Sequence, residues 1–155
     1  MGPGWGMLDK VKVAEILKGK GGGVIAVTPD DFVFDVLRLM AERNIGAVLV
    51  MSGDKLEGLF SERDYARKII LKGRSSRETH VRDIMSRELI IVHPEDSVME
   101  SLAIMTEKRI RHLPVLEGQN VVGLISIGDL VKKVIDEQHI IIKHLESYIS
   151  GGYMT

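Results

Sequence analysis

The chain repeats itself at a fixed offset, and this constrains its fold more than any other feature. Thr28-Pro29-Asp30-Asp31 is echoed 65 positions later by His93-Pro94-Glu95-Asp96, and the register holds without a gap from Thr28–Ile70 onto His93–Ile135. Identical pairs include Pro29/Pro94, Leu37/Leu102, Met40/Met105, Ile45/Ile110, Gly58/Gly123, Ser61/Ser126 and Asp64/Asp129. Upstream, Val13-Ala14-Glu15-Ile16-Leu17 echoes Val81-Arg82-Asp83-Ile84-Met85 at an offset of 68, so the first repeat carries three extra residues around Gly21-Gly22-Gly23.

Each repeat reads as strand, helix, strand, strand, helix. The first strands are the apolar runs Val24–Val27 and Leu89–Val92. A Pro-Asp or Pro-Glu turn then starts a helix, with Val33, Val36, Leu37 and Met40, or Val98, Leu102 and Met105, at helical spacing. Strands at Ala47–Met51 and Leu113–Leu116 turn through Gly53-Asp54 and Gly118-Gln119. The third strands end at Gly58-Leu59-Phe60 and Gly123-Leu124-Ile125, and the second helices start from Ser61 and Ser126. The expected class is α+β, with repeats over residues 11–71 and 80–138 joined by a linker at 72–79. Two such units bury their apolar helix faces against one another as a pseudo-two-fold pair with two clefts between the repeats.

Composition narrows the function. The 155 residues carry 21 basic and 22 acidic side chains, a formal net charge of −1, whereas duplex nucleic acid selects a strongly basic face. There is no cysteine, which removes disulfides, thiolate metal sites and cysteine nucleophiles and fits a reducing, cytoplasmic setting. No apolar run approaches the ~20 residues that span a bilayer. Residues 1–10 read as a flexible leader without the order of a signal peptide.

The chemistry concentrates in two copies of strand, Ser-x-x-Asp, helix: Ser61-Glu62-Arg63-Asp64 and Ser126-Ile127-Gly128-Asp129. One reading is a helix cap, the serine accepting from a free backbone N–H and the acid reaching back. The other uses the same geometry for a ligand. A helix N-terminus suits phosphate, and a carboxylate one turn in suits ribose hydroxyls. Arg63 sits where the helix dipole disfavours a cation, which points to a nearby anion or an acidic neighbour. Arg111-His112-Leu113-Pro114 in the second repeat corresponds to Gly46-Ala47-Val48-Leu49 in the first, so Arg111 and His112 stand where the first repeat has small residues. Arginine grips phosphate bidentately, histidine donates or stacks, and Pro114 leaves neighbouring backbone groups free for a purine edge. Unequal sites follow, the one with Arg111, His112, Ser126 and Asp129 being better equipped for phosphate.

On these motifs, with Asn44-Ile45-Gly46-Ala47 and Thr28-Pro29-Asp30-Asp31, the chain resembles the cystathionine-β-synthase-type (CBS) domain pair, the Bateman module, from about Val11 onward. It is most similar to a stand-alone subgroup of bacteria and plant organelles, which shares the linker Lys72-Gly73-Arg74-Ser75-Ser76 and the tail Tyr148-Ile149-Ser150-Gly151-Gly152-Tyr153. The resemblance implies a non-catalytic regulatory module that binds AMP, ATP or NAD(H), works as a homodimer and signals to an effector protein. It assigns Asp64 and Asp129 to ribose, and Ser61 and Ser126 to ribose or phosphate. It sets the backbone of Ile45, Gly46 and Ala47 and of His112, Leu113 and Pro114 against adenine. Arg63, Arg111 and His112 fall to the phosphates, with Thr28 and Glu62 completing the set. Gly128, which stands where the first repeat has Arg63, departs from equal use of the two sites. The competing readings are a structural interaction module with vestigial clefts and a nucleotide hydrolase, the latter without a nucleophile-elbow pattern around either serine.

Other signals weigh less. Lys18-Gly19-Lys20-Gly21-Gly22-Gly23 lacks the Gly-Lys-Ser/Thr ending of a P-loop and reads as a flexible loop able to fold over a ligand. His139 and His144 are five apart and share no helix face, so no metal is expected there. Leu130–Ile149 is amphipathic, with Val134, Ile141, Leu145 and Tyr148 on one stripe; it reads either as packing on its own module or, slightly favoured, as a homodimer seam, ended by Gly151-Gly152.

Overall fold

In the computed structural model the backbone is described for residues 8–21 and 23–154. The elements in order are α1 (Val13–Gly19), β1 (Ala26–Val27), α2 (Val33–Arg43), β2 (Ala47–Ser52), β3 (Lys55–Ser61), α3 (Glu62–Asp64), a π-helical turn (Tyr65–Ile70), a 3-10 turn (Val81–Asp83), α4 (Val98–Lys108), β4 (His112–Glu117), β5 (Asn120–Ser126) and α5 (Ile127–Met154). This mixed α+β order is that of two tandem repeats.

The first repeat builds a three-stranded sheet, β1 parallel to β2 and β2 antiparallel to β3. Ser52 pairs with Lys55 across a two-residue turn whose first central residue, Gly53, has φ +60°, the position where a tight hairpin favours glycine. The second repeat builds the pair β4–β5, with Gly118 at φ +64° in the matching place. Both first helices end on a left-handed residue, Asn44 at φ 54° and Arg109 at φ 56°. The next amides, of Ile45 and Ile110, return to the carbonyls of Met40 and Met105 at 3.0 and 3.1 Å. These caps turn the chain abruptly into β2 and β4.

The compact units are not the sequence repeats. One unit holds the N-terminal segment, Val92–His112 and the chain from Ile125 onward; the other holds Gly23–Ile91 with most of the β4–β5 hairpin, Leu113–Leu124. Three hydrogen bonds give the reason in each. In the first unit the amides of Val13 and Ala14 donate to the carbonyls of Asp96 and Pro94, and Val98 donates to Val11, all at 2.9 Å. In the second unit Val81 and Arg82 donate to Asp31 and Pro29 at 2.8 and 3.0 Å, and Val33 donates to Thr79 at 2.9 Å. The helical segment that precedes each repeat is thus bonded to the opening of the other repeat. Val13 and Val81 are both fully buried by it.

The core of the second unit joins Val33, Val36 and Met40 of α2 to Val48, Val50 and Phe60 of the sheet and to Val81 and Ile84. Gly58 permits this: a Cβ there would lie 2.8 Å from both the Met85 sulfur and the Ser86 carbonyl. In the first unit α1 and α4 pack on α5, burying Ile16, Met105 and Leu130.

Four expectations change in detail. Leu89–Val92 forms no strand; Val92 alone makes a bridge and is buried, so pairing there is too short to count as an element. Residues 1–7 lie outside the described chain, but Leu8, read as leader, is buried at 3% exposure, so the packed chain starts before Val11. The stretch 72–79 is bound to its repeat: Phe34 donates to the Ser76 carbonyl at 2.9 Å, and the Arg77 guanidinium lies 4.0 Å from the Phe34 ring centroid. Gly151-Gly152 does not stop α5, which continues to Met154. The helix interior tolerates glycine at a cost of about 1 kcal/mol each, which a long helix absorbs. Of the proposed stripe, Val134 is half-buried and Leu145 exposed, while the side chains of Ile141 and Tyr148 lie outside the described residues. So does that of His144.

Candidate functional site

Both Ser-x-x-Asp segments fold as reciprocal caps. In the first repeat the Asp64 amide donates to Ser61 Oγ at 3.2 Å, while the Ser61 amide donates to Asp64 Oδ2 at 2.9 Å. In the second, Asp129 N to Ser126 Oγ is 3.1 Å and Ser126 N to Asp129 Oδ2 is 2.8 Å. The preceding connection matches too: Glu62 donates to the Gly46 carbonyl at 3.0 Å and Ile127 to the Arg111 carbonyl at 2.8 Å. These bonds hold Gly46 and Arg111, one from each repeat, against the helix starts where the motif places its carboxylate.

Around Asp64 the surroundings saturate the carboxylate. Ser61 Oγ donates to Oδ2 at 3.1 Å, Ser86 Oγ donates to Oδ1 at 3.1 Å, and Lys68 Nζ lies 3.1 Å from Oδ1. Lys68 also donates to the Ile84 carbonyl at 2.9 Å. The Asp64 side chain is only 10% exposed. It ties α3 and the π-helical turn to the 81–86 segment, and ribose hydroxyls would have to displace one of these donors. Beside it, an open hollow of about 230 Å³ is lined by Leu37, Met40, Ala41, Asn44, Ile45, Gly46 and Glu62.

Around Asp129 the surroundings are cationic. The side chain is 24% exposed, and Lys20 Nζ lies 2.7 Å from Oδ2. Burial raises the Asp129 pKa, but the hydrogen bond from Lys20, those from Ser126 and the Lys20 charge outweigh it and hold the carboxyl below its usual 3.8. His112, at the start of β4, feels the same group: burial lowers its pKa from 6.5, Asp129 opposes, and Lys20 and Arg111 reinforce the lowering. His112 thus feels the Asp129 carboxylate, the Lys20 ammonium and the Arg111 guanidinium at the start of a 28-residue helix. The set offers an acceptor for sugar hydroxyls and two cations for phosphate.

The structure therefore brings Arg111, His112, Ser126 and Asp129 together, and separately Ile45, Gly46 and Glu62. Ala47, Leu113 and Pro114 are buried in their strands, so only their backbone can meet a ligand. Arg63 is exposed in the first turn of α3. Thr28 is exposed, its amide bound to Asp31 Oδ2 at 2.9 Å in the turn that launches α2. Three residues outside the expected site set contact the two aspartates: Lys68, Ser86 and Lys20, the last from the Lys18–Gly23 loop that the sequence marks as able to fold over a ligand. The signal for Lys20 and Ser86 was the offset change: the segments ahead of each repeat echo one another, which makes them candidates for exchange. Among the described residues no cluster of His, Asp and Glu is arranged to hold a metal ion, and no helix is long and apolar enough to cross a membrane.

Comparison with known proteins agrees with this architecture. The CBS domain family model matches twice, at residues 22–71 and 81–136. The chain is 41% identical over 154 residues to the CBS domain-containing protein CBSX3, mitochondrial, of Arabidopsis thaliana, covering 94% of this chain and 75% of that one. A solved structure of a protein with CBS domains from Burkholderia ambifaria superposes with a TM-score of 0.79 at 52% identity, covering 83% of this chain and 96% of that chain. A hexameric CBS-CP12 protein from bloom-forming cyanobacteria gives a TM-score of 0.71 at 26% identity, covering 79% and 71%. Such pairs are typically regulatory and nucleotide-binding rather than catalytic. The doubled repeat, the doubled cap and these matches agree: the chain belongs to the CBS-domain family, as a tandem pair of CBS repeats.

Proposed function

We propose that the chain is a regulatory module that binds one adenine nucleotide, AMP, ATP or NAD(H), at the Ser126–Asp129 helix start and carries out no catalysis. The supporting observation is the Lys20–Asp129 ion pair at the capped start of α5, with His112 within the electrostatic reach of Asp129, Lys20 and Arg111. Asp129 accepts ribose hydroxyls, Ser126 and the α5 amides meet the sugar-phosphate, Arg111 takes the phosphate, and the backbone from His112 to Pro114 reads adenine. The first repeat contributes less, because Asp64 is committed to Ser61, Ser86 and Lys68. Occupancy shifts the packing equilibrium of the module only as far as the ligand prefers one state, and a separate effector protein reads the change.

Exposed Val131, Ile135, Ile140 and Leu145 on α5 favour a homodimer through that helix. The same surface is what a purely structural interaction module would use. The lack of cysteine suits a reducing compartment such as the cytoplasm. The test is a thermal-shift titration of the full chain with AMP, ATP, NAD+ and NADH, repeated on Asp129→Ala. A ligand at a hundred times its dissociation constant adds about 2.7 kcal/mol, a rise of several degrees. The rise is expected with wild type and not with Asp129→Ala. No rise with any of the four would leave the structural module. Product formed on prolonged incubation with nucleotide would make the chain an enzyme.

A further inference from the structure

The offset of 65 that pairs the two aspartates also pairs the surface around the first repeat's hollow with a surface of the second repeat, and the two are unlike. Buried Met40 and half-buried Leu37 and Ile45 make the floor of the hollow, and exposed Ala41, Asn44 and Glu62 make its rim. In the second repeat Arg109 stands for Asn44, Arg111 for Gly46 and Ile127 for Glu62, and all three are exposed. Ile127 also opens a stripe of exposed aliphatic residues at four-residue spacing, with Val131 and Ile135. The first repeat has Glu62, Ala66 and Ile70 at those positions, likewise exposed. One repeat thus presents a ridge of large apolar side chains beside two guanidinium groups. The other presents a hollow, an alanine and a carboxylate.

We propose that the hollow is filled by Ile127 of the partner subunit, so that the homodimer joins the first repeat of one chain to the second repeat of the other rather than like to like. This rests on the homodimer reading above and deepens it; the nucleotide reading does not depend on it. Each copy carries both faces, so a closed pair makes the contact twice.

Size and charge both favour the unlike pairing. Like-to-like contact sets hollow on hollow and ridge on ridge, and a void between two surfaces forfeits the dispersion contacts of its lining. Unlike contact puts an aliphatic side chain into an apolar hollow and sets large Val131 against small Ala66, while Ile135 meets Ile70. Like-to-like contact also brings Glu62 to Glu62 and arginine to arginine. Unlike contact brings one carboxylate to a face with two cations, and such complementarity fixes register as well as adding attraction. This charge balance is that of the nucleotide-free chain, since Arg111 also serves the nucleotide site.

The chain has no cysteine, so cysteines placed one at a time report the pairing directly. Ala41→Cys on the hollow and Ile127→Cys on the ridge are made in separate full-length chains and treated, without nucleotide, with a short bismaleimide. Each alone stays unlinked, and the two co-expressed link into a covalent dimer. Ile127→Asp puts a charge into the apolar hollow and raises the dimer dissociation constant about tenfold or more in sedimentation equilibrium. Its circular dichroism is unchanged, because Ile127 is exposed and an acid suits a helix start. Adding Glu62→Lys to Ile127→Asp restores the dimer through unlike pairing, whereas like-to-like contact would gain a second repulsion. Either single cysteine linking to itself overturns the pairing and leaves the homodimer. A dimer in which none of the three samples links overturns the hollow as its seat. A chain that sediments as a monomer removes the homodimer as well and leaves the nucleotide reading standing.

Discussion

Asp64 and Asp129 occupy equivalent positions, in equivalent caps, behind identical serines, yet they are used differently. The difference lies in what reaches them from outside the repeat. Asp64 receives the hydroxyl of Ser86, brought in by the 81–86 segment, and the ammonium of Lys68 from its own helix. By sequence offset Lys18 stands where Ser86 does, and the ion pair to Asp129 comes instead from Lys20, two residues on. One cap has become an internal fastener with both carboxylate oxygens engaged. The other keeps a more exposed carboxylate, 24% against 10%, whose outside partner is the Lys20 ammonium. Duplicated motifs diverge here without changing a residue of the motif's own Ser-x-x-Asp skeleton.

Removing each carboxylate should separate the two roles. Asp64→Ala strands the Ser61 amide and the Ser86 hydroxyl in a buried setting and deprives Lys68 of its ion pair, so a loss of about 3 kcal/mol is expected. Asp129→Ala removes a more exposed cap, worth about 1 kcal/mol, and with it the nucleotide response. Urea denaturation at equal m-values measures both. Equal losses would mean that the fold uses the two aspartates alike.

Ser86→Ala is the next smaller step. It removes one neutral donor to the Asp64 carboxylate and should cost about 1 kcal/mol, without altering nucleotide affinity at the second repeat. A change in that affinity would show that the first repeat's fastener tunes the second site, and the comparison would become one of coupled rather than separate roles.

Why one site was legible in the residues and the other only half so follows from the range of the contacts. The Ser61 and Ser126 caps, the Gly53 and Gly118 turns and the α2 and α4 faces are local, and local spacing records them. Arg111, His112, Ser126 and Asp129 emerge because the strand-to-helix register carries them to one end of β4 and α5. The contacts of Lys20 and Ser86 depend on which segment docks on which repeat. No periodicity states that; only the mismatch of offsets, 65 within the repeats and 68 before them, hints at it. Leu8 is buried as well. Its position ahead of the repeated register let it pass as leader. The glycines at the end of α5 mislead for the opposite reason: a propensity of about 1 kcal/mol per residue is easily overridden once a long helix is established.

The smallest expected effect is in pH, and it bears on a position where the repeats differ, His112 against Ala47. Burial lowers the His112 pKa below 6.5, with Lys20 and Arg111 adding to the effect against Asp129. Between that lowered value and 6.5 the unfolded chain binds the more protons, so this residue's contribution to stability is full above 6.5 and is lost as pH falls through the window. His112→Asn should flatten that part of the urea-midpoint profile, whereas Ala47 has nothing to titrate. A phosphate bound beside the ring reverses the preference by favouring the imidazolium, so nucleotide binding takes up a proton and should tighten relative to His112→Asn as pH falls below 6.5. The phosphate's own protonation near pH 6 weakens binding in both proteins and cancels in the difference between them. A difference that stays flat from about pH 5 to 8 would place the phosphate away from His112 and leave Arg111 and Lys20 to hold it.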